Sequence, residues 1–401
     1  MIALADLAAS PNALAPHYAR FRVAERLLLT GHSHQAWPDV ARAGQIEAYD
    51  DAAAYVDDKW ERALARADEV RAGYRTLLAD PGGMIALGAN THELVVRFLS
   101  CLDLTGRRRR LVASDGEFHS LRRQLARLAE AGVEVELVAA DPVGTLAERL
   151  AAAVDDRTAA VTVSAVLFET ARRVPHLDAV AAACRERGAE LLVDAYHALG
   201  AVPLPVHGTG IASAWVVGGG YKYLQLGEGN GFLRVPEHAA SARPVVTGWF
   251  AELDTLADDH GAGEVTYADG AERFAGATYD PTSHYRAARV FAFFAEQGLT
   301  PDLLRRSYLH QLDVLARGFD ALALPDGVVT RDRDVPLDAF GGFLALRSPH
   351  AARLQQALAA RGVAADSRAD VLRLGPAPYL SDDQLAAAIA ALGSAVAALP
   401  R

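Results

Sequence analysis

The sequence predicts an α/β protein: a large domain with a mostly parallel central sheet flanked by helices, then a smaller α+β domain. Two patterns carry this. Between about residues 65 and 235, short unbroken apolar runs alternate with helical stretches of several turns. Strands that are apolar throughout are buried on both faces, and helices between them make parallel βαβ crossovers. From about residue 285 the order changes, with two long amphipathic stretches followed by short strand-like runs mixed with helices. The expected division is 1–64 as an N-terminal segment packing with the small domain, 65–284 as the large domain and 285–401 as the small one.

In chain order, residues 1 to about 50 carry no clear period and read as irregular. Leu27-Leu28-Leu29-Thr30 reads as a short strand, followed by the turn Gly31-His32-Ser33-His34-Gln35. Its His-x-His pair has the spacing of metal ligands, but no third ligand follows, so no metal is expected. A loop facing substrate is the natural use of such a turn. A helical segment through Tyr55, Trp60 and Leu64 leads into a helical pattern ending at Leu78. Then come strand Met84 to Leu87, turn Gly88 to His92, helix Glu93 to Leu102, strand Leu111 to Ala113 and helix Leu121 to Ala131. Strand Val133 to Val138, helix Thr145 to Val154, strand Ala160 to Val166, helix Leu177 to Arg187 and strand Glu190 to Asp194 complete the alternation. Two more strand-like runs, Ala214 to Val217 and Phe232 to Val235, flank a glycine-rich loop that holds Lys222. Beyond them, helices Tyr285 to Gln297 and Leu303 to Leu322 precede strands at 328–330, 343–346 and 371–374 and helices at 351–361 and 382–399.

The chain has 40 basic and 50 acidic residues, a formal net charge of −10, which disfavours a nucleic-acid or anionic-membrane partner. The one basic run, Arg107 to Arg110, reads as a solvated turn before a strand. Cys101 and Cys184 sit in apolar helical patterns and suggest neither a disulfide framework nor a metal site. The start, Met1-Ile2-Ala3-Leu4-Ala5-Asp6, lacks the basic stretch of a secretion signal, and no apolar run is long enough for a bilayer, so a cytoplasmic location is expected.

Parallel α/β sheets hold ligands at the carboxyl ends of their strands, and several reactive residues fall there. Asp194 ends a buried strand, where a carboxylate is costly without a cationic partner. An aspartate there also serves as a helix N-cap. Lys222 lies one strand and loop further on, in Gly218-Gly219-Gly220-Tyr221-Lys222-Tyr223, where glycines permit close backbone approach by something bulky. A lysine and an aspartate on neighbouring strand ends meet the needs of pyridoxal 5'-phosphate: the lysine bonds the cofactor covalently and the aspartate pairs with its ring nitrogen. The helix after Asn90 and Thr91 offers free N–H groups to a phosphate, though both residues also suit a plain N-cap. Phe118, at the start of a helix, can stack on a flat ring or belong to the core.

These segments resemble the class V aminotransferase superfamily of fold-type I enzymes, and kynureninase within it. The resemblance rests on Asp194-Ala195-Tyr196-His197-Ala198-Leu199-Gly200, Tyr221-Lys222-Tyr223-Leu224, Gly248-Trp249-Phe250, Arg273-Phe274-Ala275-Gly276-Ala277-Thr278 and Leu372-Arg373-Leu374-Gly375-Pro376-Ala377-Pro378. It implies that Lys222 bonds pyridoxal 5'-phosphate, Asp194 pairs with the ring nitrogen, His197 and Thr170 lie by the cofactor and Phe118 stacks on it. Asn90, Thr91 and Tyr221 would serve the phosphate. Trp249 and Thr278 would reach the neighbouring subunit's phosphate, in a homodimer with shared active sites. Arg373 would take the substrate α-carboxylate, a task for a planar bidentate donor. The implied activity is hydrolytic Cβ–Cγ cleavage of an amino acid such as kynurenine, giving anthranilate and alanine, with Tyr221 as a proton donor. The alternative on the same scaffold is transamination, Cβ–S lysis or elimination on a different small amino acid. The chain departs from the family where His32, Ser33 and His34 replace the Asn-Ser-Leu of Gly-Asn-Ser-Leu-Gly, so these three are candidate substrate contacts.

Overall fold

The computed structural model describes residues 2–258, 261 and 263–399. Met1, Pro400 and Arg401, at the outer ends of the first and last expected segments, lie outside these. The elements run α1 (Leu4–Ala8), β1 (Leu27–Leu28), α2 (Val40–Tyr55), α3 (Lys59–Leu77), β2 (Met84–Gly88), α4 (Thr91–Leu99), β3 (Arg110–Ser114), α5 (His119–Glu130), β4 (Glu134–Val138), α6 (Leu146–Ala153), β5 (Thr158–Ser164), α7 (Leu177–Arg187) and β6 (Glu190–Asp194). There follow β7 (Trp215–Gly219), β8 (Gly231–Val235), α8 (Thr282–Gln297), α9 (Pro301–Ala321), β9 (Thr330–Arg331), β10 (Leu344–Arg347), α10 (Ala351–Ala359), β11 (Val363–Ala364), β12 (Asp366–Arg368), β13 (Val371–Leu374) and α11 (Asp382–Ala397).

The large sheet has seven strands in the order β2-β8-β7-β6-β5-β3-β4. β8 runs antiparallel to both of its neighbours, and the pairs from β7 through to β4 are parallel. β3, β5, β7 and β8 are buried along their whole length, as their unbroken apolar character predicts. The fold class is therefore the expected one. Arg234 on β8 is buried in that sheet and forms an ion pair with buried Asp80 at 2.8 Å, so its charge is matched where desolvation is severe.

A second sheet, β12-β13-β10-β9, is antiparallel; α9 and α10 pack on it, and α11 packs on those two helices. Thr300 caps α9 through the Leu303 N–H, with Pro301 at the first helical position. Ser381 and Gln384 form a capping box on α11. The N-terminal stretch is stitched to this region: β1 pairs parallel with β11, and the Gly375 N–H donates to the Leu29 carbonyl at 2.7 Å. Among the described residues no helix is long and apolar enough to cross a membrane.

Three sequence expectations change. The first 50 residues are not all irregular, because α2 begins at Val40 and packs on α8. The helix expected through Tyr55, Trp60 and Leu64 is broken after Tyr55, where Val56 takes a positive φ of 51°, which a β-branched residue adopts only under constraint. Of the basic run, Arg107 to Arg109 are exposed, but Arg110 is a buried strand residue bonded to Glu136 at 3.1 Å and to Asp155 at 3.4 Å.

Candidate active site

A cavity of about 250 Å³ opens at the carboxyl ends of the parallel strands. β5 contributes Ser164 and β6 contributes Asp194. The turn into α4 brings Asn90 and Thr91, the start of α5 brings Phe118, and the loop after β7 brings Tyr221 and Lys222. His197 and Tyr196 complete that side. Seven of the sequence-predicted residues thus line one wall, although they are spread over more than 130 positions of the chain.

Lys222 is buried, and its Nζ stands 2.6 Å from His197 Nε2. Burial pushes the Lys222 ammonium down to about 7, with Asp194 pulling the other way. Burial, then the Lys222 charge, holds His197 well below its ordinary value. A neutral His197 accepts the Lys222 N–H at Nε2, which puts the ring proton on Nδ1; that nitrogen has no partner among the described residues. Asp194 Oδ1 accepts the Tyr196 N–H at 2.8 Å, while burial raises its carboxyl. The Lys222 Nζ also lies 4.6 Å from the Tyr196 ring centre and 5.2 Å from that of Phe118, so the amine is boxed in by aromatic faces.

At the α4 end, the Asn90 side chain accepts the Glu93 N–H at 3.0 Å and so caps the helix, and the Thr91 hydroxyl donates to the Gly218 carbonyl at 3.3 Å. The first-turn N–H groups that this cap leaves free face an anion favourably. Phe118 crosses Phe168 edge-on at 5.4 Å. The set offers an amine, a carboxylate, an aromatic face and a helix N-terminus around one cavity. It fits pyridoxal 5'-phosphate, and the unpartnered His197 Nδ1 is the orphaned buried polar atom such a site leaves inside the protein.

The glycines beside Lys222 also make room for the protein's own side chains. A Cβ on Gly219 would stand 2.5 Å from the Tyr196 hydroxyl, and one on Gly220 would collide with the Leu226 side chain. Their bulky neighbours are the protein's own side chains.

His34 stacks on Tyr221 with ring centres 4.8 Å apart, and the Ser33 hydroxyl meets His34 Nδ1 at 3.2 Å. His32 turns the other way, is fully buried and donates from Nε2 to Asp366 Oδ1 at 3.0 Å. Asp366 in turn binds Arg373, Nε to Oδ1 at 2.7 Å and Nη2 to Oδ2 at 2.5 Å. Arg373 is 3% exposed, which rules out the surface arginine its strand position also allows. Its charge lowers the Lys222 ammonium further through space, although Arg373 does not itself line the cavity.

Thr170, Trp249 and Thr278 do not line this cavity. The Thr170 hydroxyl accepts the Arg172 N–H at 3.4 Å. Trp249 is 42% exposed, and Thr278 lies in a larger cleft of about 960 Å³ that contains none of Lys222, Asp194 or His197. The two hollows meet at one turn, with Gly88, Ala89 and Glu93 in the larger and Asn90, Thr91 and His92 in the smaller. Sequence reasoning missed Tyr196, Ser164, Glu117 and Asp366. Tyr196 sits inside the segment that carries Asp194, and Ser164 stands opposite Asp194 in the β5–β6 register, so neighbourhood alone points to both. Glu117 is fully buried and accepts hydrogen bonds from the Ser164 N–H and hydroxyl at 3.1 and 2.6 Å.

Comparison with known proteins agrees with this geometry. Residues 61–302 match the aminotransferase class-V family model, and residues 332–392 match the kynureninase C-terminal domain model. An uncharacterized aminotransferase, YcbU, from Bacillus subtilis (strain 168) is 24% identical over 354 residues, which is 87% of this chain and 89% of the relative. The kynureninase of Pseudomonas fluorescens is 28% identical over 261 residues, 60% of this chain and 59% of the relative. Among solved structures, a mutant of C-DES with glycine covalently linked to its PLP cofactor superposes with a TM-score of 0.81 at 18% identity, over 94% of this chain and 98% of the other. The apo cysteine desulfurase from Thermococcus onnurineus NA1 does so at 0.80 and 16%, over 97% and 98%. By the family match across more than half its length, the chain belongs to the class-V aminotransferases.

Proposed function

We propose that this protein is a pyridoxal-phosphate enzyme acting on an amino acid, and that its reaction is kynureninase-type hydrolysis of a Cβ–Cγ bond. The observation that carries the choice of reaction is the match of residues 332–392 to the kynureninase C-terminal domain model, the segment that holds both Asp366 and Arg373.

Bound in this cavity, pyridoxal phosphate would supply an electron-accepting ring that weakens the bonds around the substrate's Cα. The protein does the rest. Asp194 provides the negative charge that keeps the ring nitrogen protonated. Lys222, brought down to about 7 by burial and so in part uncharged near neutral pH, is the base for the Cα proton. Burial raises the Tyr221 hydroxyl above its usual value, so it stays protonated and serves as a proton donor. Arg373 fixes the α-carboxylate. Water adds to the γ-carbonyl, the Cβ–Cγ bond breaks, and the products are alanine and an aromatic acid. The enzyme acts as a homodimer in this reading: the exposed Trp249 and Thr278 are residues through which one subunit serves its partner's site.

A second reading, transamination of a different small amino acid, is favoured by the relative named as an aminotransferase, which spans more of the chain than the kynureninase does. Desulfuration through a cysteine nucleophile has no support, since neither Cys101 nor Cys184 lines the cavity.

Product analysis separates the readings. Incubation of the holoenzyme with L-kynurenine yields anthranilate and alanine in equal amounts if the hydrolytic reading holds. A keto acid formed from another amino acid, with kynurenine left intact, would establish transamination instead.

A further inference from the structure

Arg373 is not a free guanidinium. Nε and Nη2 donate to the two oxygens of Asp366, and Nη1 donates to the Phe168 carbonyl at 2.7 Å. A guanidinium has five N–H donors, so two remain, one on each terminal nitrogen. The clamp is built into the sheet, because Asp366 on β12 stands directly opposite Arg373 on β13. His32 backs it from the N-terminal stretch. Its Nε2 donates to the same Asp366 oxygen, and its ring packs 4.6 Å from the Phe343 ring, beside which the Arg373 guanidinium also lies at 5.7 Å. His32 reaches that position because the Gly31 N–H donates to the Gly375 carbonyl at 2.8 Å, two residues beyond Arg373.

We propose that Asp366, held by His32, is a positioning residue that aims the two remaining Arg373 donors at the α-carboxylate of the amino-acid substrate. The proposal rests on the reading of Arg373 as the carboxylate-binding residue. Its prediction runs opposite to simple charge arithmetic. A buried counter-charge beside Arg373 opposes the binding of a second anion, so a purely electrostatic Asp366 weakens substrate binding and its removal tightens it. A positioning Asp366 does the reverse, because a guanidinium without its clamp swings away from the productive geometry.

The test uses the holoenzyme and two ligands, L-alanine and ethylamine, the second being alanine without its carboxylate. Dissociation constants are read from the change in cofactor absorbance. In Asp366→Asn the Kd for alanine rises about 10- to 100-fold, while that for ethylamine is unchanged. Alanine binding as tight as in the wild type, or tighter, overturns the proposal. So does an equal loss for both ligands, which marks a general disturbance of the site. If Asp366→Asn does not fold, His32→Ala removes one of the groups that hold Asp366 and gives the same readout with a smaller rise for alanine alone. An unchanged alanine Kd in that variant overturns the proposal. Arg373→Gln separates the two levels. If it leaves alanine binding intact, the carboxylate-binding reading fails and the role of Asp366 fails with it. If it weakens alanine binding while Asp366→Asn does not, only the role of Asp366 fails.

Discussion

The Nζ of Lys222 is 2.6 Å from Nε2 of a neutral His197, and no anion among the described residues hydrogen-bonds that amine. A buried ammonium facing a neutral acceptor and aromatic rings is poorly stabilised, which is why burial dominates its titration. The strongest opposing charge, Asp194, acts through space, and its carboxyl is itself raised by burial. The result is an amine ready to act as nucleophile and base at neutral pH.

The first prediction concerns the rate at which the apoprotein captures pyridoxal phosphate. The neutral amine is the reacting form, and its fraction grows as pH rises toward the lowered value of about 7. The capture rate therefore climbs about tenfold per pH unit below that point and levels off above it. An ordinary lysine would keep accelerating to about pH 10. Stopped-flow absorbance from mildly acidic to alkaline pH distinguishes the two profiles.

Glu117 makes a prediction about stability. Burial, partly offset by the Ser114 and Ser164 hydrogen bonds, raises its carboxyl from 4.5 to about 7. The folded protein thus holds a proton that the unfolded chain has already lost, so stability falls as pH rises from 4.5 to about 7. The loss attributable to this group is on the order of 3 kcal/mol, taking one pKa unit as about 1.4 kcal/mol. Urea unfolding of the apoprotein at the two ends of that window measures it. In Glu117→Gln this part of the pH dependence disappears; an unaltered dependence would show that Glu117 titrates normally.

A third prediction tests the close packing beside the lysine. In Gly219→Ala the new methyl lies 2.5 Å from the Tyr196 hydroxyl, so the tyrosine must shift. Overpacking of this kind costs about 1–3 kcal/mol. The thermal midpoint falls accordingly, and cofactor affinity drops because Tyr196 lines the cavity. A variant with an unchanged midpoint and affinity would mean that the tyrosine is not held by its neighbours.

Much of this architecture is legible in the amino-acid order, for a physical reason. Strands buried on both faces are apolar throughout, so runs such as Leu191-Leu192-Val193 announce themselves, and the residue ending such a run lies where ligands bind. Asp194 and the Lys222 loop are found that way, and both line the cavity. What the sequence hides is short or polar. β1 falls within the strand-like run Leu27 to Thr30, but β11 and β12 are two or three residues long and show no alternation, so the strand that β1 pairs with leaves no signal. Asp366 sits among polar residues and reads as part of a loop, although it holds the arginine. Glu117, between a glycine and Phe118, gives no hint that it is fully buried. The break at Val56 is a backbone feature that the helical pattern on either side conceals.

Borohydride reduction of the holoenzyme, followed by peptide mass mapping, decides whether Lys222 carries the cofactor. A single reduced adduct is expected, on the peptide that contains Lys222, and none in Lys222→Ala. An adduct on Lys59, the other lysine of the chain, or none at all in a protein that has taken up the cofactor, would contradict that assignment.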